Sequence, residues 1–393
     1  MRKLAVIALI AAISGTGLAT TSQAEAREAT RAASTCREVD CLRINQLQSV
    51  GSHNSYHIRA DDDVFALLQA FSPALADSLE YTHPPFALQF GAQRVRQIEL
   101  DVFADPAGGL YKDHQVNQLL GKPVASGIRD LDRPGLKTFH VQEVDYKTQC
   151  YTFVACLRQV KRWSDLHPTH LPITILVEAK DDVIVDPANL GFVVPAPFDL
   201  TALNEIDREV RSVFAPGDLI TPDDVRHGAA TLEQAVLSGT GWPTVGASRG
   251  KVMFMLDNES KAALYAQGHP SLSGRVLFSP TNPGTPESAF IKDNDPLGAD
   301  GLEWQRIQGY VARGYVVRTR ADTDTIQART GDTTMRDAAL NSGAQWVSTD
   351  YPTRADSIFG TGYFVRIPGG GVARCNPINS GRTCNIFDYV PKP

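Results

Sequence analysis

The sequence predicts an α/β fold of the TIM-like (β/α)₈ barrel class, with long loops at the C-terminal face. Three observations predict it. Strand-like runs alternate with helix-like runs along the chain, which implies a parallel sheet joined by right-handed crossovers. The strand-like runs number eight, which suggests that the sheet closes on itself. Polar residues gather at the C-terminal ends of these runs, where a barrel places its chemistry.

A leader precedes the first strand. Residues 1–24 carry Arg2 and Lys3, an apolar run over 4–13 and small residues around Ser22-Gln23-Ala24, the layout of a secretory signal peptide. The apolar run is too short to span a bilayer, which takes about 20 apolar residues. Residues 25–393 are therefore expected as one soluble catalytic barrel, secreted or periplasmic. Six cysteines fall as three close pairs, Cys36 with Cys41, Cys150 with Cys156 and Cys375 with Cys384, which favours three local disulfides in an oxidising compartment. The formal charge of −6 becomes −8 once Arg2 and Lys3 are removed. Such a net field excludes general attraction to nucleic acid or to an anionic surface.

The predicted strands run over 47–52, 95–103, 136–141, 173–179, 251–257, 275–279, 315–320 and 344–349, each a short apolar or β-branched run. Apolar residues at helical spacing mark helices over 65–79, 156–166, 203–214, 260–267, 302–312 and 333–341. Residues 104–135, rich in Gly, Pro and Asp, read as irregular, and 184–198 and 280–301 read as long loops. Phe65, Leu68 and Leu75 are spaced as a buried helix face. Phe290 and Ile291, in the last of those loops, are the better candidates to touch a membrane.

The first strand closes on Gly51-Ser52-His53-Asn54-Ser55, and the second ends with Glu99-Leu100-Asp101. Residues two apart on a strand share a face, so Glu99 and Asp101 project together. Two carboxylates turned into a barrel are costly to bury unless a cation accompanies them. The fourth predicted strand ends in Glu178-Ala179-Lys180 and repeats the arrangement. Asn54, Glu99, Asp101 and Glu178 offer only oxygen donors, which suits calcium or magnesium and not zinc. His140, at the end of the third predicted strand, joins His53 near this proposed metal. Lys180, Arg318 and Arg320 lie at strand ends and are candidate contacts to an anionic substrate, Arg318 and Arg320 sharing a face. Asp257, Asp322 and Asp350 are weaker candidates.

The set His53-Asn54, Glu99-x-Asp101, His140 and Glu178 resembles the catalytic barrel of phosphoinositide-specific phospholipases C, and most closely their secreted, calcium-dependent bacterial branch. The segments Gly135-Leu136-Lys137-Thr138-Phe139-His140-Val141-Gln142-Glu143-Val144-Asp145-Tyr146 and Trp346-Val347-Ser348-Thr349-Asp350-Tyr351-Pro352 extend the resemblance over most of the chain. It implies cleavage of phosphatidylinositol-type lipids to diacylglycerol and inositol phosphate through a cyclic intermediate. It also implies Ca²⁺ held by Asn54, Glu99, Asp101 and Glu178, with a carboxylate ligand such as Glu178 taking the proton of the attacking hydroxyl. His53 would stabilise the phosphoryl oxygens, and His140 would protonate the leaving oxygen. The partner is then a membrane phospholipid met by peripheral contact, with no nucleic acid, and the chain is expected to act as a monomer. His114 has the spacing from Asp101 of the second histidine in eukaryotic relatives; it reads here as an exposed loop residue. Two rivals are a glycerophosphodiester phosphodiesterase-like enzyme, which would pair its first histidine with arginine rather than Asn54, and an inactive barrel that binds inositol lipids or glycans.

Overall fold

The computed structural model describes residues 39–388; the leader and Cys36 lie outside the described residues. The strands, in chain order, are β1 (Leu47–Ser52), β2 (Gln97–Val102), β3 (Ile173–Ala179), β4 (Leu219–Ile220), β5 (Val252–Leu256), β6 (Leu277–Phe278), β7 (Phe290–Lys292), β8 (Val316–Arg320), β9 (Trp346–Thr349), β10 (Ala373–Cys375) and β11 (Asn385–Ile386). Eight of them, β1, β2, β3, β5, β6, β7, β8 and β9, run parallel and curl into a TIM-like barrel. The short β4 pairs with the start of β5 and β6 with its later part, so the two share one edge. Two seams are thin: a single parallel bridge, Pro280 to Phe290, links the β6 and β7 sides, and β1 meets β2 only at Gly51 and Gln97. Gly51 suits this close approach, because a Cβ would fall 1.8 Å from Gln97 Oε1 and displace that side chain. That side chain instead crosses to accept a hydrogen bond from Ser348 Oγ on β9 at 2.6 Å.

Two strand assignments change. Residues 136–141 are no barrel strand; Lys137 makes isolated antiparallel bridges to Phe103 and Thr152. Buried Lys137 explains this, since its ammonium pairs with Asp105 at 3.1 Å and donates to the Gly135 carbonyl. The eighth strand is instead β7, inside the predicted loop 280–301, too short and too flanked by Pro, Asn and Asp to stand out. No helix lies between β6 and β7. Phe290 is buried in the core, so it is not a membrane contact. The predicted helix 65–79 divides into Asp62–Phe71 and Pro73–Ser78, because Pro73 cannot continue the first and Ser72 caps the second. The remaining predicted helices form with ends shifted by up to three residues.

β10 runs antiparallel to β1 and pairs with β11, a hairpin closed by the Cys375–Cys384 disulfide. The Cys150–Cys156 disulfide ties the irregular segment before the helix Phe153–Leu166 to its first turn. Cys41 is disulfide-bonded as well. Non-reducing peptide mapping is expected to recover Cys36 joined to Cys41 alongside these two pairs; a Cys36 thiol that reacts with an alkylating agent would contradict it. Among the described residues, no helix is long and apolar enough to cross a membrane.

Candidate active site

β2 and β3 lie side by side in parallel register, with Asp101 opposite Glu178. Glu99, Asp101 and Glu178 thereby converge, each offering a carboxylate oxygen within 4.8 Å of the others. Glu99 and Asp101 are buried. Two cations answer three carboxylates: Arg318 donates to Glu99 at 2.5 Å, and Lys180 lies 3.1 Å from Asp101 and 3.9 Å from Glu178. The cluster stays under-neutralised. Burial pushes the Glu99 carboxyl up to about 7 against the pull of Arg318, and burial likewise raises Asp101 against Lys180. The Asn54 side chain donates to the Tyr81 hydroxyl, leaving its buried carbonyl oxygen without a partner. Its turn is held against β2, as Ser55 N–H donates to the Glu99 carbonyl and Ser55 Oγ accepts from Glu99 N–H. Oxygen-only donors, an excess of negative charge and an orphaned amide oxygen fit a hard divalent cation held by Glu99, Asp101 and Glu178, with Asn54 adjacent.

Each predicted histidine is anchored by a carboxylate. His53, directly after β1, places Nδ1 3.0 Å from Asp350, directly after β9, while Nε2 faces Glu99 at 3.9 Å. Asp350 also lies 3.7 Å from His83 and 3.6 Å from Arg320. Burial, then the charge of Arg320, lowers the His53 pKa to about 3, so the ring is neutral near pH 7. With Nδ1–H donated to Asp350, its Nε2 is a free acceptor. Arg318 and Arg320 thus enter the same interior with different partners, Arg318 on Glu99 and Asn294, Arg320 on Asp350.

His140 is delivered by a tight hairpin rather than by a strand. Val141 and Asp145 exchange backbone hydrogen bonds at 3.0 Å, with Glu143 between them in the left-handed region at φ 70°. The turn swings Asp145 back under His140, whose Nδ1 donates to it at 2.8 Å. The same carboxylate accepts from fully buried His57 at 2.8 Å. Burial, then Lys180, lowers His140 to about 4 despite Asp145. His114 is not an exposed loop residue: it is buried and stacked on Tyr146 at 3.5 Å between ring centroids, and burial alone lowers its pKa to about 4. His57, His83, Tyr81 and Asp145 were not singled out from the sequence. The one available signal was Asp145 following His140 within a hairpin-length interval.

The sharing of Asp145 has a measurable consequence. Although burial opposes ionisation, His57 and His140 together hold its carboxyl well below the usual range. A depressed carboxylate contributes stability above its unfolded pKa, near 4, and that stability is lost as pH falls further. Asp145→Asn weakens two hydrogen bonds to a buried carboxylate and is expected to cost about 3 kcal/mol near pH 7, with the gap to wild type closing below about pH 4. Urea midpoints measured across pH check both the size and the direction.

A sequence-family model, Phosphoinositide phospholipase C, Ca²⁺-dependent, matches residues 42–377. A search of curated protein sequences finds no match. Among solved structures, a calcium-dependent phosphoinositol-specific phospholipase C from a Gram-negative bacterium, Pseudomonas sp., aligns with TM-score 0.53 at 17% identity, over 86% of this chain and 96% of that one. The apo enzyme in its crystal form 1 aligns with TM-score 0.50 at 18% identity, over 80% and 92% of the two chains. These likenesses support the fold, and the family match extends from before β1 to beyond β10, across every residue of the acidic and histidine clusters. The chain belongs to the calcium-dependent phosphoinositide phospholipase C family.

Proposed function

We propose that the chain cleaves phosphatidylinositol-type lipids to diacylglycerol and inositol phosphate, with calcium as its metal, after export from the cytoplasm. The observation that carries this reading is the acidic trio Glu99, Asp101 and Glu178 accompanied by two imidazoles, each hydrogen-bonded to its own carboxylate. Neutral oxygen donors and carboxylates at the cluster suit calcium. What calcium supplies when bound is positive charge beside the phosphoryl oxygens and the attacking hydroxyl.

The protein groups divide the proton work. The family resemblance assigns the hydroxyl proton to Glu178, but His53 is better placed: its Nε2 is unprotonated, and Asp350 stabilises the imidazolium that forms. Glu178 then remains a ligand. The inositol 2-hydroxyl oxygen bonds to phosphorus, its proton passes to His53 Nε2, and the bond from phosphorus to the glycerol oxygen breaks. His140 gives that oxygen a proton from Nε2, while Asp145 and the bound phosphodiester anion favour the imidazolium that this requires. The cyclic phosphate is opened by water with the two histidines exchanging roles. Arg318, Arg320 and Lys180 offset phosphate charge in the buried cleft.

Headgroup selectivity tests the reading. Purified protein with calcium is expected to cleave phosphatidylinositol and to leave phosphatidylcholine and glycerophosphocholine intact. Cleavage of glycerophosphocholine without attack on phosphatidylinositol would overturn it in favour of a glycerophosphodiesterase.

A further inference from the structure

A groove of about 550 Å³ opens between the paired helices Asp62–Phe71 and Pro73–Ser78 and the loop that follows β3. Phe71, Leu75, Leu119, Val183, Val185 and Val141 are among its lining residues. Several are unusually exposed for their type: Phe71 is 60% accessible, Leu119 54%, Val183 64% and Val185 74%. Leu75, expected from its spacing to be buried, is 40% accessible. Exposed apolar concavities of this size mark ligand or interaction sites.

We infer that this groove binds a hydrocarbon chain of the leaving diacylglycerol, so that the enzyme grips its lipid on the leaving-group side. The inference rests on the proposed cleavage of a lipid phosphodiester. Two observations select this occupant. The groove is neighboured by the catalytic residues along the chain: Val141, which lines it, directly follows His140, and the loop bearing Val183 and Val185 directly follows Lys180. A chain attached to the oxygen that His140 protonates therefore begins beside it. The local charge, in turn, offers no surplus of cations for an anionic surface. Asp61, Asp62 and Asp63 open the first helix and take up the nearby Lys147, Arg59 and Lys122 in ion pairs. Attraction must then come from apolar burial, which changes affinity by up to about fourfold per methylene.

The test uses monomeric phosphatidylinositols with acyl chains of increasing length, kept below their aggregation concentrations, and a chain-free nitrophenyl ester of inositol phosphate as the internal reference. In the wild type, KM is expected to fall with each added methylene until the groove is filled. In Phe71→Ser/Leu119→Ser/Val185→Ser, which alters only exposed positions, that dependence flattens. The ratio of kcat/KM for the longest-chain monomer to that for the reference falls at least about tenfold. Calorimetry with dihexanoylglycerol gives a second readout independent of turnover: binding with a negative heat-capacity change in the wild type, lost in the variant. The inference is overturned if the variant keeps the wild-type chain-length dependence, or if only adsorption to phosphatidylinositol vesicles is lost while monomers are handled normally. It is also overturned if sedimentation shows a wild-type dimer that the variant abolishes, because the groove then covers a second copy. Binding of dihexanoylglycerol by a protein that turns over no inositol ester would instead leave the groove and remove the proposed activity.

Discussion

His140→Ala is expected to slow cleavage of a diacylglycerol ester about 10²- to 10⁴-fold, the usual contribution of a general acid, yet to leave a nitrophenyl inositol phosphate within about tenfold of wild type. The contrast follows from the leaving groups. Glycerol alkoxide is a poor leaving group and needs a proton, which the proposed mechanism draws from the His140 imidazolium formed with substrate bound, whereas nitrophenolate departs without one. His53→Ala is slow on both substrates, since the attacking hydroxyl must lose its proton whichever group leaves. His114→Ala keeps the wild-type pattern, because His114 is stacked on Tyr146 and engages no carboxylate of the site. Steady-state rates on the two esters decide the assignment. Leaving-group rescue in the His114 variant and not in the His140 variant would identify the wrong acid.

The second large effect lies in the carboxylates. Burial pushes the Glu99 carboxyl up to about 7 when no cation accompanies it. A carboxyl raised in the folded state binds its proton more tightly there than in the unfolded chain. Stability is thus lost as pH rises from its unfolded value near 4 through about 7. The loss is roughly 3 kcal/mol for Glu99 alone. Calcium at a hundred times its dissociation constant restores about 2.7 kcal/mol. Asp101→Asn, which removes a buried ligand, is expected to abolish both the calcium-induced rise in melting temperature and turnover, while its fold in chelator is at least as stable as wild type near pH 8. Thermal melts with calcium and with chelator across pH measure each effect. An equal calcium response in Asp101→Asn would remove that residue from the metal site.

Much of the barrel was legible because its strands carry short apolar runs, as in Ile175, Leu176 and Val177 of β3 and in Val252–Leu256, which suit strands covered on both faces. The acidic pair was legible for a local reason: the two-residue strand period places Glu99 and Asp101 on one face whatever the surroundings. β7 was not legible, since three residues between loops carry no period, and its pairing with β8 is entirely a tertiary choice. The 136–141 segment misled in the opposite sense, because Leu136, Phe139 and Val141 interspersed with Thr138 and His140 satisfy a strand pattern, while buried Lys137 pairs with Asp105 instead. The carboxylates behind the histidines were the hardest to see. Asp350 reaches His53 across 297 positions of sequence, and His57 meets Asp145 across 88, contacts that only the closed sheet and the hairpin at Val141 create.

We propose that the acidic trio carries a calcium on which cleavage of an inositol phosphodiester depends. Phosphorus NMR of phosphatidylinositol incubated with the purified protein tests it most directly, because substrate, cyclic phosphate and inositol monophosphate give separate signals. With calcium present, the substrate signal is expected to give way first to the cyclic phosphate and then to the monophosphate, and with excess chelator it should persist unchanged. Full conversion in chelator, or an intact substrate signal in calcium, would contradict the account.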